Sequence, residues 1–160
     1  MRYLVRERVF GIGDDYWIDD EYGEHSFLVD GKALRVRQTF ELKDPQGEIV
    51  AVVRRKMVSL WGTMWIERDG ERLATVRKKR FTPLRNRFRA TLADGSALSV
   101  HGSVLDKEYD IELGGERLAR ISRKWFRVRE TYAVDIEQPG ADVPLVLALA
   151  VCVDALTHHD

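Results

Sequence analysis

Cysteine is almost missing from this chain: Cys152 stands alone among 160 residues, so no intrachain disulfide can form and a bridge-held scaffold is excluded. It falls inside the most apolar stretch, where a free thiol packs as a small hydrophobe; a reducing, cytoplasmic setting is expected. The opening Met1-Arg2-Tyr3-Leu4-Val5-Arg6-Glu7-Arg8 lacks the apolar core of a signal peptide, so export is not expected. Low-complexity stretches, linkers and composition breaks are absent too, which leaves one domain over residues 1–160. Net charge is also lacking, with 26 basic residues against 26 acidic ones.

Catalytic signatures are equally scarce. There is no G-x-S-x-G, no Walker-type loop and no dinucleotide fingerprint, and Gly11-Ile12-Gly13 is short and followed by no helical pattern. His25, His101, His158 and His159 have no Cys or carboxylate partner at a metal-ligand spacing. The acidic run Asp14-Asp15, Asp19-Asp20-Glu21 and Glu24 lacks the alternating ligands and terminal Glu of a calcium loop and reads as a solvated hairpin edge. No enzyme, no metal and no cofactor is expected.

What the chain does contain is alternation. With 44% hydrophobic and 32% charged residues it has the balance of a globular protein, and to about residue 138 its apolar positions recur with a period near two. About twelve strands are predicted: 2–9, 15–20, 24–29, 34–43, 49–56, 63–68, 72–79, 87–92, 97–102, 109–113, 118–123 and 132–137. Asp30-Gly31, Asp44-Pro45-Gln46-Gly47, Asp69-Gly70, Asp94-Gly95 and Gly114-Gly115 fall between them, where tight turns need residues that tolerate positive φ. Consecutive strands are therefore hairpin neighbours in a mainly antiparallel sheet.

The remaining segment behaves differently. Asp142 can cap a helix from Val143 to Leu156 with Pro144 in its first turn, and Leu145 to Val153 is apolar on every side. Such a helix is buried all round or lies in lipid. At about 1.5 Å per residue it reaches about 20 Å, short of the roughly 30 Å of a bilayer core, so burial is predicted and transmembrane insertion is not. A closed sheet of about twelve strands leaves a lumen that a helix about 10 Å across can fill. Asp154 is expected to mark the end of this plug that reaches water.

Three segments align without gaps, beginning at Gly47, Gly70 and Gly115, each a turn, a strand and a basic end. Strands two apart run the same way, so Arg54-Arg55-Lys56, Arg77-Lys78-Lys79-Arg80 and Arg123-Lys124 are placed toward one end of the barrel. The charge distribution agrees: residues 31–90 hold sixteen basic against six acidic residues, while residues 1–30 hold three against eight. These nine residues are the candidate anion-binding set, with Arg85, Arg87 and Arg89 extending the basic stretch. The four tryptophans, Trp17, Trp61, Trp65 and Trp125, fall in or beside strands and are assigned to barrel packing, with Trp125-Phe126 also able to dip into a bilayer interface.

Tyr3-Leu4-Val5-Arg6-Glu7, Asp15-Tyr16-Trp17-Ile18-Asp19-Asp20 with Tyr22-Gly23, Val29-Asp30-Gly31-Lys32, the Asp44-x-x-Gly47 turn with the Ala51 to Lys56 strand, and Asp142 followed by Leu145 to Asp154 together make a recognisable set. On these residues, nearly end to end, the chain resembles the LURP-one-related family of the Tubby C-terminal-like superfamily, to which phospholipid scramblases are also similar. The resemblance implies a twelve-stranded barrel around a hydrophobic C-terminal helix. For function it implies an anionic ligand, since Tubby-like domains bind phosphoinositides through basic residues and scramblases associate with membranes. The expected role is a non-enzymatic binding module, peripheral on anionic phospholipid or phosphoinositide headgroups; the alternative is a protein-interaction scaffold whose basic rim meets an acidic partner. Nucleic acid is disfavoured by the sequence pI of 6.9 and the lack of a recognition motif.

Overall fold

The structure, a computed structural model, describes residues 1–6, 15–31, 39–55, 62–81, 85–103, 108–122 and 131–157. Twelve strands and one helix follow in order: β1 (Arg2–Arg6), β2 (Tyr16–Asp20), β3 (His25–Asp30), β4 (Thr39–Lys43), β5 (Ile49–Arg55), β6 (Thr63–Arg68), β7 (Glu71–Phe81), β8 (Arg85–Leu92), β9 (Ala97–Ser103), β10 (Glu108–Leu113), β11 (Glu116–Ser122), β12 (Thr131–Ile136) and α1 (Val143–Thr157). Each strand pairs antiparallel with its sequence neighbours, and β1 pairs with β12, which closes the sheet into a barrel without a free edge.

Alternation builds the core. On β5 Ala51 and Val53 point inward, on β6 Met64 and Ile66, on β9 Leu98 and Val100, and on β10 Tyr109 and Ile111, all buried in one cluster with the helix. The helix is buried from Val146 through Asp154, with Leu147, Leu149 and Cys152 fully enclosed. Burial pushes the Cys152 thiol well above its ordinary titration range, so it stays protonated and inert. Among the described residues no helix is long and apolar enough to cross a membrane.

One expectation about the helix fails. Asp154 is only 7% exposed, because α1 runs on through Thr157 and sets this carboxylate inside the last turn, so it does not mark the wet end. Leu156 fixes that end: a Cβ added to Gly62, just before β6, would come 2.8 Å from its Cδ2.

The helix start is anchored at the opposite rim. Asp142 accepts from the Leu145 amide at 3.2 Å as an N-cap and from both Arg68 terminal nitrogens at 2.9 Å, while Arg68 Nε donates to Val50 O. The Arg68 guanidinium, aided by the Leu145 amide, holds the Asp142 carboxyl below its ordinary value of 3.8. A carboxyl depressed on folding stabilises fully above its unfolded value and loses that contribution as pH falls through the folded one. The pair is partly solvated, so Asp142→Asn is expected to cost about 1 kcal/mol in urea unfolding at neutral pH. The gap between wild type and variant should narrow as pH falls below the ordinary carboxyl value; a constant gap would remove the latch from the account.

The turns after β2, β4, β6, β8 and β10 share this rim, and four register shifts lie beside them, between Ile18 and Asp19, Leu42 and Lys43, Ile66 and Glu67, and Ile111 and Glu112. A fifth, between Lys78 and Arg80, lies toward the other end of β7. That bulge shapes the surface described next.

Candidate functional site

Several cations on the barrel wall are matched by carboxylates across a strand pair: Arg2 with Asp135 at 2.7 Å, Lys43 with Asp30 at 2.9 Å, Arg54 with Glu67 at 2.6 Å and Arg120 with Asp110 at 2.9 Å. The outer face of β7 and β8 breaks this rule. Arg77, Lys79, Arg87 and Arg89 are all exposed and, among the described residues, none has a carboxylate within ion-pair distance.

Strand parity puts them there. Ala74 and Val76 on β7, and Asn86, Phe88 and Ala90 on β8, take the inward positions, which leaves Arg77, Arg87 and Arg89 outside. Register then sets Arg77 directly opposite Arg89. Like charges facing across an antiparallel pair cost up to about 1 kcal/mol relative to neutral residues, so this arrangement works against the sheet. Alternation carries Lys79 to the same exposed surface, and the bulge leaves it as the extra residue between the Lys78–Phe88 and Arg80–Arg87 pairs.

On the next strand, Ser99 lies opposite Arg89 and His101 opposite Arg87. Between β7, β8 and β9 is a hollow of about 330 Å³, lined by Lys79, Arg87 and Arg89, by Ser99 and His101 on the far wall, and by the inward-facing Phe88 and Val100. Among the described residues no acidic side chain lines it. Glu112 on β10 touches the lining, with its Oε1 3.1 Å from His101 Nε2. Among the described residues no three His, Cys, Asp or Glu side chains gather as a metal site. At the acidic hairpin Asp20 Oδ1 is taken up by the Tyr22 and Glu24 amides at 2.9 Å, and Asp19 meets His25, which stacks on Trp17.

The family model for LURP-one-related proteins matches residues 1–154. The chain belongs to the LURP-one-related family. Its relatives include the uncharacterized protein YxjI of Bacillus subtilis (strain 168), 22% identical over 157 residues that cover 98% of this chain and 94% of that protein. The crystal structure of an Arabidopsis thaliana protein superposes with a TM-score of 0.68 at 18% identity, covering 98% of this chain and 91% of that one, and so shares the fold.

Within this LURP-one-related barrel the nine cations named from sequence are divided. Arg77 and Lys79 lie on the unpaired face. Arg54 is on the outer wall of β5 and is neutralised by Glu67. Arg55 ends β5 opposite the buried Met64, half-buried and apart from the β7–β9 face. Lys78 shares the inward parity of Val76 and stands opposite buried Phe88. The backbone of Arg80 pairs with Arg87, its side chain being outside the description, and Lys56, Arg123 and Lys124 lie outside the described residues, as do Trp61, Trp125 and Phe126. Trp65 carries Arg72 over its ring at 4.3 Å, a packing role. Sequence reasoning missed Ser99 and His101, whose only signal is the outward parity they share on a strand next to Arg87 and Arg89.

Proposed function

We propose that this barrel is a non-catalytic module that docks peripherally on anionic phospholipid surfaces through the outer face of β7 and β8. The observation that carries the reading is the set of four exposed cations without carboxylate partners gathered on one face, on a wall where Arg2, Lys43, Arg54 and Arg120 are each paired. Their mutual repulsion weakens the sheet when bare and is relieved when phosphates lie over it. Each near-surface cation contributes about 1 kcal/mol on an anionic leaflet. The face is carried by the closed barrel, so docking needs no insertion of α1.

The test is co-sedimentation with phosphatidylserine-containing and pure phosphatidylcholine vesicles across a salt series, comparing wild type with an Arg77→Glu, Arg87→Glu, Arg89→Glu variant. Binding to the anionic vesicles alone is expected, weakening with salt, and reversal of three charges should lower it at least about tenfold. The variant should unfold at no lower temperature than wild type. Equal binding to both vesicle types, or binding indifferent to the reversals, would sink the lipid reading and turn attention to an acidic protein partner.

A further inference from the structure

We infer that the hollow between β7, β8 and β9 is a discrete site for a single phosphomonoester group, and that His101 takes up a proton when that group binds. The inference rests on the same unpaired cations as the membrane reading but asks more of them. A diffuse basic face needs no concavity, whereas here three cations converge on a hollow of about 330 Å³. That volume is at the low end for ligand pockets, which run from about 300 Å³, and suits a phosphate with the first atoms of its ester.

The donor set fits a terminal phosphate. Arg87 and Arg89 are two apart on one face of β8, and each guanidinium can present a planar fork to two phosphate oxygens. Lys79 adds a point charge from the bulge, and the Ser99 hydroxyl adds a neutral donor on the opposite wall. A monoester dianion offers three open oxygens for these groups, and a diester offers two.

His101 supplies the proton linkage. Its Nε2 meets Glu112 at 3.1 Å, which uses that nitrogen as a donor and leaves Nδ1 of the neutral ring with a lone pair that no phosphate oxygen can use. Protonation turns Nδ1 into a second donor and gives the ring a positive charge beside the bound dianion. The groups around the ring set the balance: Arg87 on β8 and Lys79 across the hollow oppose the added charge in the empty site, while Glu112 and Asp110 on β10 favour it. Asp110 is already held by Arg120, so Glu112 is the main carboxylate available to the ring. A dianion between the cations tips that balance toward the imidazolium.

The full-length chain can be titrated with inorganic sulfate and with phenyl phosphate while the histidine ring signals are followed by NMR, His101 being assigned with His101→Gln. Sulfate keeps its charge across the range studied, whereas phosphate esters protonate near pH 6, so a change in sulfate affinity reports the protein. One saturable site is expected, lost in Arg87→Gln, Arg89→Gln. Sulfate binding should tighten at least about threefold from about pH 7.5 to about pH 5.5, where histidine titrates. His101→Gln should bind with no such slope. Absence of saturable binding overturns the site, and equal affinity at both pH values in wild type overturns the proton uptake.

Vesicles containing phosphatidic acid, a monoester lipid, or phosphatidylglycerol, a diester, then separate the sources. Preference for phosphatidic acid places the monoester on a lipid. Sulfate and phenyl phosphate binding without any vesicle binding places it on a soluble molecule and removes the membrane reading alone, while vesicle binding without a saturable small-anion site removes this inference alone.

Discussion

Leu149→Asp should yield no folded protein. Leu149 is fully buried midway along α1, surrounded by the barrel wall, and a carboxylate there would meet no cation and no water. An uncompensated charge in such a place costs several kcal/mol, against a total stability of about 5–15 kcal/mol for a domain of ordinary size. The milder Leu149→Ala keeps the chain foldable and gives a number: a loss of about 2–5 kcal/mol by urea unfolding, the lost transfer energy plus the cavity left behind. Circular dichroism of both variants decides the matter. A folded Leu149→Asp with an unchanged urea midpoint would mean that α1 is not the core of the barrel.

Gly102→Ala is the second large effect, and it depends on close approach and not on backbone conformation. Gly102 pairs with Asn86 on one side and Tyr109 on the other. A methyl group there would run into the carbonyl oxygen of Glu108 and come 2.6 Å from Tyr109 Cδ1. The Tyr109 ring cannot easily retreat, since it is buried, receives a hydrogen bond from Asn86 Nδ2 at 3.3 Å and packs edge-on to Phe88 at 6.4 Å between centroids. Overpacking against backbone predicts a loss of about 3 kcal/mol, read as a fall in melting temperature of roughly 6–12 °C for a chain of this size. A fall of less than about 2 °C would show that the β9–β10 pair gives way freely. Tyr109→Ala combined with Gly102→Ala should be no worse than Tyr109→Ala alone if the ring is the main obstacle, and additive if the Glu108 carbonyl is.

The architecture was legible because it rests on local regularities. Period-two alternation, Gly47, Gly70 and Gly115 at positive φ in their turns, and a segment from Leu145 to Val153 without a polar face each dictate their element almost independently of the rest. Alternation also says which side of a strand a residue takes, and within the basic stretch it separates Lys78, which shares the parity of Val76, from the outward Arg77 and Lys79. The candidate site was harder because it is a property of register. Nothing near Arg54 in sequence says that Glu67, thirteen residues on, neutralises it, and nothing near His101 says that Arg87 is its neighbour. The bulge at Lys79 has no glycine to announce it. A lone carboxylate near the end of an apolar run marks the wet end only if the helix stops there, and this chain stays helical through Thr157 with Asp154 buried.

The order of elements along the chain has a consequence for how the molecule is assembled. Hairpins such as β6–β7 and β8–β9 join residues close in sequence and can form on microsecond timescales. The seam that closes the barrel joins β1 to β12, with the Met1 amino group donating to the Ile136 carbonyl 135 residues away, and α1 follows every strand. Until α1 arrives, the inner faces carrying Val53, Ile66, Val100 and Ile111 have nothing to pack against, and the sheet has two bare edges. Slow, non-local closure with exposed apolar surface is the setting in which chains aggregate. Kinetic vulnerability is therefore concentrated in the seam and the plug, far from the β7–β9 face, so that face is free to change its charges without endangering the step that decides whether the barrel forms.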